Sequence, residues 1–139
     1  MTLPVDTKDS AVPDGPTVYV CVTCRKPDDA ADGPRAGLLL AQATADAARG
    51  TDVTVRHVEC LANCRRSLSA AMRTRDSWTY VFGGLDAAND APALIEGARL
   101  LVDAADGILP WRGRPNVLKR GLIARIPPLH FTPTPEDPE

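Results

Sequence analysis

The sequence predicts an α/β domain: a four-stranded mixed sheet in the order β-α-β-β-β-α, with helices packed on it and a basic C-terminal tail. Three observations predict it. Short runs in which β-branched and aromatic residues alternate with others read as strands. Two Ala- and Leu-rich runs, each with Pro near its start and Gly at its end, read as helices. The first three elements run strand–helix–strand, and such a crossover makes the two strands parallel and right-handed.

In chain order, residues 17–22 (TVYVCV) alternate and form the first strand. Residues 26–33 are polar, with Pro, Asp and Gly, and form a loop. Residues 34–49 are rich in Ala and Leu, so a helix follows. Asp32 is its expected cap, Pro34 suits its first turn and Gly50 its C′ position. Residues 52–58 (DVTVRHV) form the second strand. Leu68, Ala70 and Met72 then alternate with Ser69 and Ala71, and Trp78, Tyr80 and Phe82 alternate with Thr79 and Val81. The polar run 73–77 between them makes this a hairpin, and Gly83–Gly84 bends the chain out of it. Asn89 or Asp90 is expected to cap the last helix, with Pro92 in its first turn. Leu94, Ala98, Leu101 and Ala105 are its expected apolar face, and Gly107 its end. One helix on each side of such a sheet is the thioredoxin-like arrangement, and that is the predicted fold.

The ends of the chain are of a different composition. Residues 1–16 and 132–139 each carry three prolines and no apolar period, so both are expected to be disordered tails. Residues 17–131 are the expected domain, long enough to bury a core without disulfide staples. The formal net charge of -2 selects neither nucleic acid nor a membrane surface as partner. No apolar run of roughly 18 residues and no signal-peptide pattern occurs, so a cytoplasmic location is expected. There thiols stay reduced, and paired cysteines mean metal or redox chemistry.

The chain has four cysteines, Cys21, Cys24, Cys60 and Cys64. They stand in two close pairs, Cys-x2-Cys and Cys-x3-Cys, each placed where a strand runs out. Parallel strands bring both pairs to one sheet edge. Spacings this short let one loop present two sulfurs to a single centre. Four chemistries compete. A [2Fe–2S] cluster takes one pair of thiolates per iron. A structural zinc takes four thiolates, although zinc ribbons separate their pairs by about 15–20 residues, too few for a crossover helix. A thioredoxin-type dithiol at Cys21 and Cys24 normally opens a helix, whereas here a polar loop follows. Last, four cysteines can be buried or disulfide-linked without any cofactor.

Five stretches in order add a resemblance. They are YVCVTCR (19–25), CLANCRRSLSAAMR (60–73), WTYVFGGLD (78–86), PWRGRP (110–115) and GLIARIPP (121–128). Together they resemble the bacterial predicted metal-binding proteins, a family without assigned function grouped with the thioredoxin-like [2Fe–2S] ferredoxins. The resemblance implies cluster binding by Cys21, Cys24, Cys60 and Cys64, and it implies a setting near cobalamin biosynthesis. Thioredoxin-like ferredoxins at large space their first two ligand cysteines more widely. The x3 spacing of the second pair is kept.

Other residues are read against this. Arg65 and Arg66 follow the fourth cysteine. They could stabilise the negative charge of a reduced cluster, or simply be solvated. A Rieske-type iron needs two histidines, the only other one, His130, is near the tail, and the four cysteines already complete a ligand set, so His57 reads as an ordinary strand residue. Trp78, Tyr80 and Phe82 read as core. No acid occurs between Asp106 and Glu136, yet Arg112, Arg114, Lys119, Arg120 and Arg125 do. This basic segment either wraps the domain, with Ile123, Ile126 and Leu129 packing, or docks an acidic redox partner. Nucleic acid is disfavoured, since the segment has no stacking platform or known module. A homodimer is compatible with the sequence.

The reading is therefore a small electron carrier with one [2Fe–2S] cluster on four cysteines, not an enzyme with a substrate pocket. A zinc-stabilised interaction module and a dithiol oxidoreductase are the alternatives.

Overall fold

The computed structural model describes residues 15–25 and 33–131; the side chain of Cys64 also lies outside the described part. The two expected tails and the Asp32 cap therefore fall almost wholly outside it. The elements are β1 (Thr17–Cys21), α1 (Ala36–Ala48), β2 (Thr54–Val58), a 3-10 turn (Cys64–Arg66), β3 (Ala70–Arg73), β4 (Thr79–Phe82), α2 (Ala91–Asp103), α3 (Asn116–Arg120) and β5 (Leu122–Ile126). The β-α-β-β-β-α core is as expected. The sheet, however, has five strands and not four, in the order β2-β1-β3-β4-β5. The basic tail supplies the fifth strand and a short helix before it.

β1 and β2 are parallel, with Cys21 opposite Val58, and the other three pairings are antiparallel. Alternation sorts the strand residues into two faces. Val18, Val20, Ala70, Met72, Tyr80 and Phe82 share one face and are at most 1 % exposed. Helix α1 packs on β1 and β2, α2 on β1 and β3, and the two helices on each other, so both cover that one face. This corrects the expectation of one helix on each side. The polypeptide between β2 and β3 forms a loop and a single 3-10 turn, which supplies no helix for the opposite face.

Both helices follow from their composition. In α1, Leu40, Ala41 and Thr44 point to the core, and the buried Thr44 hydroxyl is satisfied by the Leu40 carbonyl at 2.6 Å. Gly50 ends the segment with φ +79, a conformation that favours glycine. In α2, Pro92 stands in the first turn and Leu94, Ala98 and Leu101 are buried, as expected. Asp90 is the N-cap residue without a side-chain cap bond; its carboxylate accepts the Asp86 N–H at 2.7 Å instead. The helix stops at Asp103, so Ala105 is exposed and not part of the apolar face. A Cβ at Gly97 would run into Leu118, so glycine there lets α3 seat against α2.

Two cations of the basic segment, Arg114 and Arg125, are held by the fold. Arg114 is only 8 % exposed and donates to the Leu109 carbonyl at 2.7 Å and the Pro110 carbonyl at 3.1 Å. It also lies over the Tyr80 ring, whose hydroxyl accepts the Leu109 N–H at 2.8 Å. Arg125 lies over the Trp78 ring at 4.3 Å. These two cations hold the tail to the hairpin, so the five basic residues do not form one outward-facing surface. Ile126 and Leu129, expected to pack, are 54 % and 106 % exposed.

Arg114 makes a quantitative prediction. Its removal leaves two carbonyls without their charged donor, so Arg114→Ala should cost about 2–4 kcal/mol. The exposed Arg112→Ala should stay within about 0.5 kcal/mol. Urea unfolding of the two variants and the parent checks this, and equal midpoints for all three would contradict it.

Candidate functional site

The chain's chemistry-bearing residues gather at the edge where β1 and β2 end. Because the two strands are parallel, Cys21 closes β1 beside Val58, and the loops that follow leave from the same edge. Cys24 lies three residues beyond Cys21, Cys60 stands in the loop after β2, and Cys64 opens the 3-10 turn. The sequence expectation that both pairs reach one edge is met for the backbone.

Local contacts tie the two loops together. The Val22 N–H donates to the Val58 carbonyl at 2.9 Å, and the Ser67 hydroxyl donates to the Arg25 carbonyl at 2.8 Å. The Thr23 hydroxyl bonds the Glu59 carbonyl. The Cys21 N–H donates to the Ser69 carbonyl at 3.1 Å, which anchors the first pair to the start of the hairpin. Helix α1 completes the frame. Its Gly37 N–H donates to the Cys24 carbonyl at 3.0 Å, which satisfies one of the helix's open amides. A side chain at Gly37 would collide with the Cys21 carbonyl and crowd the Cys24 Cβ. Glycine is therefore required for α1 to start this close to the cysteines.

The thiols occupy contrasting environments. Cys21 and Cys24 are 2 % and 5 % exposed, and Cys60 is exposed. Burial pushes the Cys21 thiol up, but hydrogen bonds from Cys24, Thr23 and the Leu61 backbone outweigh it, leaving it below its ordinary value. Burial, and then the Cys21 neighbour, push Cys24 up to about 11. The Ser69 backbone and hydroxyl oppose that rise. Ala62 sits at φ 58, an uncommon conformation for a residue with a side chain. Its N–H reaches the Cys60 sulfur at 3.1 Å. N–H and O–H groups directed at sulfur are what an anionic thiolate needs.

This donor chemistry fits a thiolate-bound metal group. Cys21 and Cys24 are in side-chain contact and stand as a ready pair. Among the described residues, though, no three Cys, His, Asp or Glu side chains converge. His57, read as an ordinary strand residue, is exposed on β2, and the exposed His130 lies near Asp76 at 3.9 Å, by the hairpin turn. Reasoning from sequence missed Thr23, Gly37, Leu61 and Ser69. A hydroxyl residue beside a cysteine was a visible signal for Thr23. Nothing local marks Gly37, whose role depends on the crossover bringing it back.

Comparison with known proteins follows the same line. The family described as "Protein of unknown function (DUF1636)" matches residues 18–128. No curated protein matches the chain. Two solved structures of a thioredoxin-like [2Fe-2S] ferredoxin from Aquifex aeolicus are similar to it. One has a TM-score of 0.52 at 16 % identity, covering 85 % of this chain and 99 % of that one. The other, of the wild-type protein, has a TM-score of 0.50 at 12 % identity, covering 80 % and 98 %. The architecture is thus the thioredoxin-like ferredoxin fold.

The environments of the thiols predict an order of labelling in metal-free, reduced protein. Exposed Cys60 should react with iodoacetamide before either buried thiol, and Cys21 before Cys24, because more of Cys21 is thiolate at a given pH. Peptide mass mapping over time reads the order. Cys24 labelled ahead of Cys21 would show that the hydrogen bonds assigned to Cys21 do not govern its reactivity.

Proposed function

The chain belongs to the DUF1636 family, and from that premise we propose that it is a one-electron carrier holding a [2Fe–2S] cluster. The ligands in this reading are Cys21, Cys24, Cys60 and Cys64. The observation that carries it is the buried Cys21–Cys24 pair, ringed by sulfur-directed donors from Thr23, Leu61 and Ser69 at the edge where the second pair's loop arrives. The likeness to thioredoxin-like ferredoxins supports the same reading through the fold.

When bound, the cluster supplies reversible one-electron chemistry. The chain's part is to hold and tune it. Burial of Cys21 and Cys24 keeps water from one end. The Leu61 and Ser69 N–H groups favour negative charge on sulfur and so favour the reduced state. Gly37 lets α1 brace the first loop. No step in this role needs a substrate pocket, so the protein acts on another protein and not as an enzyme in its own right. A cytoplasmic setting keeps the thiols available for the cluster. The cobalamin-related pathway implied by the family resemblance would use such a carrier as a source of single electrons.

One observation favours a second reading. Cys21 and Cys24 are neighbours with opposite shifts, the pattern of an attacking and a resolving thiol in a dithiol oxidoreductase.

Anaerobic purification separates the readings. The carrier should be red-brown, with about two irons and two sulfides per chain. Cys24→Ser and Cys64→Ser should each lose most of that iron, because each thiolate completes one iron's coordination. A colourless protein with one zinc would replace the carrier by a zinc-stabilised module. Metal-free protein with a reversible Cys21–Cys24 disulfide would establish the dithiol. A Cys24→Ser protein with an unchanged spectrum would remove Cys24 from the ligand set.

A further inference from the structure

The topology gathers arginines from four separate segments at the edge that carries the cysteines. β1 and β2 end there, β3 and β5 begin there, and β4 ends there. Arg25 follows Cys24, and Arg35 precedes α1, its guanidinium donating to the Thr23 carbonyl at 2.8 Å. Arg65 and Arg66 lie in the 3-10 turn that Cys64 opens. Arg120 ends α3 just before β5. All five are exposed. Backbone bonds link their segments: Gly84 N–H to the Arg66 carbonyl at 2.6 Å, and Gly83 N–H to the Gly121 carbonyl at 2.8 Å.

The acids described at this end are few and partly engaged. Glu59 is exposed, and its backbone carbonyl, not its carboxylate, accepts from Thr23. Asp86 and Asp90 spend carboxylate oxygens on N–H groups of their own turn, at 3.1 Å to Ala88 and 2.7 Å to Asp86. Lys26, Asp28, Asp29 and Asp32 belong to the loop outside the described residues. Among the described residues, this edge carries Arg25, Arg35, Arg65, Arg66 and Arg120 against Glu59, Asp86 and Asp90, in an arc around the candidate cysteines.

We infer that this arginine arc, and not the basic tail as a whole, is the docking surface for a protein partner that presents a cluster of carboxylates. The inference rests on the carrier reading above, because the arc places a partner against the sulfurs where an electron would leave. Charge complementarity selects the partner. Arginine forks match carboxylates bidentately, and rim charges set encounter rate and salt dependence. The tail does not present its five cations as one face: Arg114 is buried in structural bonds, and Lys119 and Arg125 lie over Trp111 and Trp78. Its Arg120, at the end of α3, joins the arc. Nucleic acid also binds arginine, so an oligonucleotide of equal charge is one arm of the test.

The test uses the anaerobically prepared full chain and a fluorescein-labelled poly-glutamate peptide, read by anisotropy at about 0.01 M and about 0.15 M salt. The triple variant Arg65→Gln, Arg66→Gln, Arg120→Gln should bind about tenfold more weakly at low salt and with a flatter salt slope. A control with the same charge change away from this edge, Arg49→Gln, Arg75→Gln, Arg99→Gln, should stay within about twofold of the parent. Arg65→Lys with Arg66→Lys keeps charge but removes the forks, and should fall between the two. Circular dichroism confirms that each variant is folded. Arc and parent proteins that bind alike, or a control that loses as much, overturn the inference. So does an oligonucleotide of equal charge that binds more tightly than the peptide through the same arginines. Iron and sulfide analysis of the same samples separates the two readings. A metal-free protein with arc-dependent binding sinks the carrier and leaves the surface; a loaded cluster without arc dependence does the reverse.

Discussion

The parallel pairing of β1 with β2 is the constraint on which the rest depends. Parallel strands require a crossover, and the crossover must return the chain to the same edge with the right hand. Helix α1 provides that return. It can start directly beside Cys21 and Cys24 only because Gly37 has no side chain to strike the Cys21 carbonyl. With α1 seated, Leu40 and Ala41 cover one face of the sheet, and β2 falls into register beside β1. The loop after β2 then starts at the level of Cys21. A shift of one residue in that register would turn every β2 side chain to the other face.

The cysteine edge shows how an irregular loop can be made specific. The segment from Glu59 to Ser69 has almost no regular structure, yet its polar groups are placed. The Asn63 side-chain amide donates to the Ser69 hydroxyl at 2.9 Å, and Leu68 and Leu85 exchange backbone bonds. These contacts hold the Ser69 and Leu61 amides toward the first cysteine pair. Burial alone would make both thiols poor ligands, since desolvation penalises a thiolate. The directed donors oppose that cost, and for Cys21 they prevail.

The far edge of the sheet has a different logic. Without β5, strand β4 would present an open row of N–H and C=O groups. The basic tail covers it, locked by Arg114 over Tyr80 and by Arg125 over Trp78. β5 in turn is followed at once by Pro127 and Pro128, which cannot donate to a further strand. At the opposite edge, β2 carries Thr54, Arg56 and His57, polar residues that discourage added strands. What reads along the chain as one basic patch is thus divided by the fold into anchors and an exposed remnant.

Much of the architecture was legible because it is written in local patterns. Alternation marked β1 to β4, the Ala- and Leu-rich runs marked α1 and α2, and Gly50 marked the end of α1, whereas α2 stops at Asp103, short of the expected Gly107. The two cysteine pairs announced thiol chemistry, and strand order alone placed them at one edge. Strand β5 escaped because its alternation is short and lies between prolines and cations. Ile126 was taken for a packing residue although a sheet edge leaves it in solvent. The side of the sheet on which α2 lies, the burial of Arg114 and the approach of the Gly121 and Arg66 backbones to the Gly83–Gly84 bend were decided only by tertiary structure. The physical reason is common to all three. Periodicity reports how a segment relates to its own axis, whereas packing face, burial of a charge and convergence at an edge depend on residues far away in the chain.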